Sequence, residues 1–171
     1  MSFQAARPLD PWRWMGAPAL ICLGATLLLG LPFRLFGLQL PEPVVPMICV
    51  FSWAVIRPSI LSPIAILMIG LVLDLLWGAP TGMWALSMLI GYGVTLSMRA
   101  MMTGQSRMMM WAWYAGICAV TQVAGYLFTM LAFRHSPNLL AVIWQLLATS
   151  LLYPFAHRLI DRFDDADVRF R

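Results

Sequence analysis

The stretch Ile69-Gly70-Leu71-Val72-Leu73-Asp74-Leu75-Leu76-Trp77-Gly78-Ala79-Pro80-Thr81-Gly82 decides how this chain folds. It carries one carboxylate, Asp74, inside an apolar run, and no other acidic residue lies between Glu42 and Asp161. An ionisable group in hydrocarbon costs roughly 2.5–3.5 kcal/mol on insertion scales. A partner helix, a hydrogen bond, a bound ion or a ligand has to offset that cost. Gly70, Asp74, Gly78 and Gly82 recur every four residues. Positions four apart share a helix face, so the spacing predicts a narrow small-and-polar stripe of Gly70, Asp74 and Gly78. Gly82 belongs to the turn that follows.

The rest of the sequence is of the same apolar character. Of 171 residues, 61% are apolar and 11% charged, against about 25% charged in soluble proteins. Mean hydropathy is +0.82. The composition is that of an all-α integral membrane protein. Six spans of about 20 residues each would use most of the chain and leave no room for a soluble catalytic domain. All eleven positive charges are arginines, and the net charge is +4. They cluster at the ends of apolar segments, so they read as topology signals and not as a nucleic-acid surface. Cys22, Cys49 and Cys118 lie in apolar runs without metal-ligand spacing and read as small buried hydrophobes.

The chain divides into an N-terminal tail (1–13), a six-helix transmembrane domain (14–160) and a C-terminal tail (161–171). Spans are expected at Met15 to Phe33, Val44 to Ile56, Ser62 to Trp77, Met83 to Met101, Trp111 to Phe133 and Leu139 to Ile160. The first reads as an uncleaved helix, because no Ala-x-Ala-like site follows it. Arg34 to Pro43 reads as a loop, Arg57-Pro58 as a corner, and Met102 to Met110 as a Met-rich connection. The second span is too short for a bilayer core, which leaves open a re-entrant hairpin with the third. Pro154 predicts a kink in the last span. The mixed-charge tail reads as frayed. Six crossings put nine arginines on one side and Arg34 and Arg134 on the other. By the positive-inside rule both termini are cytoplasmic.

Two further faces carry small residues four apart: Ser87, Gly91 and Thr95, then Thr121, Gly125 and Thr129. Such faces let helices approach closely in lipid, either within the bundle or against an external helix. Six methionines between Met98 and Met110 form an interfacial elbow or an adaptable partner surface. Trp111 and Trp113 on one side, and Trp77 and Trp84 on the other, read as aromatic-belt anchors. Arg57 reads as a headgroup contact, and His135 and His157 as interfacial. Acid–base catalysis generally needs a second group placed beside the first. No second intramembrane acid and no metal-binding histidine motif occurs in the sequence. Neither catalytic residues nor a cofactor or metal site are expected.

Over Val44 to Gly93 the sequence resembles MreD, the rod shape-determining membrane protein family of bacteria. The resemblance rests on the Arg57-Pro58 corner, on the Gly70, Asp74, Gly78, Gly82 repeat and on Tyr92 in the next helix. Chain length, the short charged tail and Pro154 fit the same layout, while Trp77 is bulkier than the family position leads one to expect. The resemblance implies a non-enzymatic inner-membrane subunit of the cell-wall elongation machinery. Its direct partner would be MreC, with MreB, RodA and a penicillin-binding transpeptidase reached directly or indirectly. It also implies a layout similar to the six-helix substrate-binding subunits of energy-coupling-factor transporters. A small-molecule-binding transporter subunit is the alternative; it would need polar groups converging on a pocket, with Gln122 and Gln145 the only amides deep in spans. An intramembrane enzyme and a subunit of some other membrane assembly complete the set.

Overall fold

A computed structural model describes residues 15–29, 34–35, 38–39, 42–56, 58–133 and 138–168, the side chains of 34–35, 38–39 and 162–168 excepted. The N-terminal tail, Arg57, Arg134 and His135 lie outside the described residues, as do Arg169 and Arg171. Among the described residues seven helices follow one another: α1 (Ala17–Leu29), α2 (Met47–Ile56), α3 (Leu61–Trp77), α4 (Met83–Met102), α5 (Arg107–Phe133), α6 (Leu139–Ser150) and α7 (Tyr153–Val168). Within the expected first loop a two-residue antiparallel ladder pairs β1 (Arg34–Leu35) with β2 (Leu38–Gln39).

Three segments are long and apolar enough to cross a membrane: Met83–Met102, Arg107–Phe133 and the α6–α7 stretch Leu139–Asp161. The first three helices are shorter, with 13, 10 and 17 residues. Large apolar side chains such as Leu20, Met68, Leu75, Leu131, Leu140 and Leu151 point outward from the bundle. That many would be a liability in water; in hydrocarbon they are the natural surface.

The core is built around α2. Eight of its ten residues are buried, Phe51 and Trp53 completely. A helix apolar on every side belongs inside a protein or a membrane, and α2 takes the first course. It packs against α1, α3, α4, α5 and α7. At about 15 Å it is too short to cross lipid alone, and its neighbours shield it from lipid. Its ends are fastened by side chains from distant helices. On the N-terminal side, Thr149 Oγ1 accepts the Val44 N–H at 3.0 Å, and Gln145 Nε2 donates to the Glu42 carbonyl at 3.1 Å. At the C-terminal end, Arg99 Nη2 donates to the Ile56 carbonyl at 3.2 Å. The Ile56 carbonyl is one that a helix end leaves unpaired; the other two bonds pair backbone groups of the segment that leads into α2. Arg99 therefore does more than signal topology.

Three boundaries differ from the sequence expectation. Helix α4 runs to Met102 and α5 begins at Arg107, so most of the Met-rich connection is helical. Methionine and arginine are good helix formers, and only the short stretch around Gly104 turns. The last span is not merely kinked: it breaks between Ser150 and Tyr153. Proline has no N–H, so Pro154 cannot donate to the Ser150 carbonyl four residues back. The indole Nε1–H of Trp111 donates to that carbonyl instead, at 3.1 Å. Trp111, expected as a belt anchor, thus joins α5 to the α6–α7 break. Finally, α7 continues through Val168 and does not end at Ile160. No glycine or proline follows Pro154, and His157 Nδ1 lies 3.4 Å from Asp161 Oδ1 one turn on.

Replacing Trp111 with Phe keeps an aromatic side chain, smaller than the indole, but removes the donor and leaves the Ser150 carbonyl unpaired. The loss should be about 1 kcal/mol, a fall of roughly 2–4 °C in melting temperature for a chain of this size. Thermal unfolding of the detergent-solubilised protein measures it.

Candidate functional site

The Asp74 segment forms a junction between two helices. Helix α3 ends at Trp77, and Gly78 follows with φ of +61°, in the left-handed region. The Asp74 carbonyl accepts the Gly78 N–H and, at 2.9 Å, the Ala79 N–H. This closes the helix end with a residue that has no Cβ penalty in that conformation. Gly82, the residue before α4, has φ of +93° and is its N-cap. Glycine carries no side-chain oxygen to cap the helix, and the preceding helix supplies it. Asp74 Oδ2 accepts the Gly82 N–H at 2.8 Å, and Oδ1 accepts the Trp84 N–H at 2.8 Å.

Asp74 thus works twice: its backbone ends one helix and its side chain begins the next. The carboxylate is 1% exposed. Two charge-assisted bonds and the positive end of the α4 dipole offset its desolvation. A carboxylate so enclosed and so engaged clamps the two helices together.

Gly70 serves the same junction from the other side. A Cβ built there would collide with the Ala85 backbone, 2.6 Å from its nitrogen. The absence of a side chain lets α3 and α4 meet almost backbone to backbone. Gly78, by contrast, is exposed and caps the helix, so the expected three-member stripe reduces to Gly70 and Asp74. Trp77 packs edge to face on Trp84, with ring centroids 5.0 Å apart. That contact gives the bulky residue at the end of α3 a place in the junction.

The other two small-residue faces meet each other. Gly91 of α4 lies directly against the Thr121 side chain of α5, where a Cβ would clash, and a Cβ on Gly125 would reach Ser87 Oγ at 3.5 Å. The hydroxyls turn back on their own helices. Ser87 donates to Met83, Thr95 to Gly91, Thr121 to Ile117 and Thr129 to Gly125, at 2.7–3.0 Å. Thr129 also approaches Met83 Sδ at 3.0 Å. Chained through α4, the junction and this interface bind α3, α4 and α5 into one unit.

Spacing did not point to a second set of polar groups. Trp53 Nε1, Tyr114 OH, Gln122 Nε2 and Tyr153 OH are buried without hydrogen-bond partners among the described residues. Tyr114 contacts Phe51 edge-on and Tyr153 at a tilt. Tyr114 and Tyr153 read in sequence as ordinary core aromatics, and only the packing of the helices brings their rings together; Gln122 is one of the two amides noted in the spans. Gln145, considered above for a polar pocket, is committed to the Glu42 carbonyl. Among the described residues no group of three or more His, Cys, Asp or Glu side chains is placed to hold a metal ion. No protein-family model, curated protein or solved structure matches the chain.

Two substitutions probe the junction. Asp74→Asn keeps the shape but loses one acceptor and the charge, and should cost about 1.5–3 kcal/mol. Gly70→Val forces α3 and α4 apart and should cost about 1–3 kcal/mol. Chemical or thermal denaturation in detergent measures both, with Ala100→Val, on an exposed position of α4, as the control that should change little.

Proposed function

We propose that this chain is a non-enzymatic inner-membrane subunit of the bacterial cell-wall elongation machinery, of the MreD type, that holds the membrane helix of MreC. The observation that carries the reading is the Gly70, Asp74, Gly78, Gly82 repeat. Each of its positions has a separate mechanical role at the α3–α4 junction: close approach, clamp, helix end and helix start. A motif devoted to fixing two helices against each other suits a protein whose work is to present a shaped surface. Lipid supplies no hydrophobic drive for helix association, so a partner helix depends on such packing.

In this reading α6 and α7 count as one interrupted span. The chain crosses the membrane six times with both termini in the cytoplasm, in a layout like that of energy-coupling-factor substrate-binding subunits. MreC is the direct partner, while MreB, RodA and a penicillin-binding transpeptidase are reached through the assembly. Asp74 accepts two backbone N–H groups and Gln145 Nε2 donates to the Glu42 carbonyl, which disfavours a transporter subunit that would use these side chains to hold a polar solute.

The test is co-purification. MreC co-expressed with the wild-type chain should be retained, and Asp74→Leu should lower its recovery about five-fold or more, by loosening the surface that a helix packs against. Undiminished recovery on a folded Asp74→Leu protein would remove the junction from the reading. Absence of any wild-type complex would remove the assignment itself. Reporter fusions after Ala79 and Gly104 should give periplasmic and cytoplasmic signals respectively.

A further inference from the structure

A slot opens between α1 and α7. Helix α1 packs on α2 and α3, while α7 packs on α2. Between them lies a cavity of about 760 Å³. Ile21, Cys22 and Ala25 of α1 form one wall, Ile48 of α2 the floor, and Phe155 of α7 the other wall. Arg158 is the one charged side chain among the lining residues. It lies three residues before the end of the apolar stretch Leu139–Asp161, where hydrocarbon gives way to headgroups. Asp161 is paired with His157 at 3.4 Å, and Arg158 has no carboxylate partner among the described side chains, which do not include those of 162–168.

The geometry points to an anionic glycerophospholipid as the occupant, with an acyl chain along the slot and its phosphate on Arg158. The slot is lined from Ala17 to Leu29, a length of about 20 Å along α1. Apart from Arg158 its lining is apolar, which suits a hydrocarbon chain. Charge decides the headgroup: a guanidinium at the hydrocarbon edge calls for an anion, and its planar fork matches phosphate oxygens. Ile21 is 70% exposed, so the slot opens sideways and a lipid can enter from the bilayer. The inference does not depend on the cell-wall assignment.

Full-length protein purified in detergent is probed by native mass spectrometry with dioleoyl phosphatidylglycerol or dioleoyl phosphatidylcholine added in turn. One phosphatidylglycerol per chain should be retained, and phosphatidylcholine about five-fold less, because the net charge of the headgroup sets the preference. Arg158→Gln should lower phosphatidylglycerol retention about five-fold, and Arg158→Lys should restore much of it. Ile21→Trp, an exposed position whose new ring fills the slot, should exclude both lipids; it decides the matter if Arg158→Gln does not fold. Equal retention of the two lipids, or undiminished phosphatidylglycerol on either Arg158→Gln or Ile21→Trp, would overturn the inference. So would efficient cross-linking of Ile21→Cys to a second membrane protein in native membranes, which would make the slot a protein contact.

Discussion

Everything between α3 and α5 depends on one carboxylate reaching the start of the next helix. A helix that starts after Gly82 leaves its first backbone donors unpaired and has no side chain of its own to cap them. Asp74 satisfies two of them. Because it sits on the preceding helix, the same bonds fix the angle and register of α4 against α3. Once α4 is placed, Gly91 meets Thr121, and α5 is located in turn. The charge that looks most out of place in the sequence is therefore the one that organises the fold around it.

The second constraint is the burial of α2. Its short length poses a problem when the chain is read as a string of independent spans. The structure resolves it by surrounding α2 with other helices and tying its flanks to Gln145, Thr149 and Arg99. These ties come from residues about forty to a hundred positions away in sequence. No local pattern announces them, because an amide, a hydroxyl and a guanidinium near the end of an apolar run look alike whether they meet lipid headgroups or a backbone carbonyl.

The helical class, the apolar surface and the positions of most helices are legible in the sequence because hydropathy and the Gly/Pro turns register them directly. The importance of the Asp74 segment is legible too, since a lone acid in an apolar run demands an explanation. Its mechanism is not. Helical periodicity places Gly78 on the face of Asp74, but the helix stops at Trp77 and Gly78 adopts a conformation that ends the period. The break at Pro154 is half legible: proline removes a donor, but that Trp111 takes the abandoned carbonyl depends on how α5 lies across it. The unpartnered Tyr114 and Tyr153 hydroxyls are visible only once α5 and α7 are side by side.

The enclosure of α2 also bears on how the chain is assembled in the cell. A segment of ten residues cannot settle stably across a bilayer by itself, yet it is made well before α7. One flank of its final environment comes from α7, about a hundred residues further along the chain. Synthesis runs at about 5–20 residues per second, so α2 waits several seconds for that neighbour. Until then it must be sheltered by the insertion machinery or rest at the membrane surface. The packing of α2 is therefore complete only once α7 has been made, and a truncation before Tyr153 would strand the centre of the bundle and not merely shorten it.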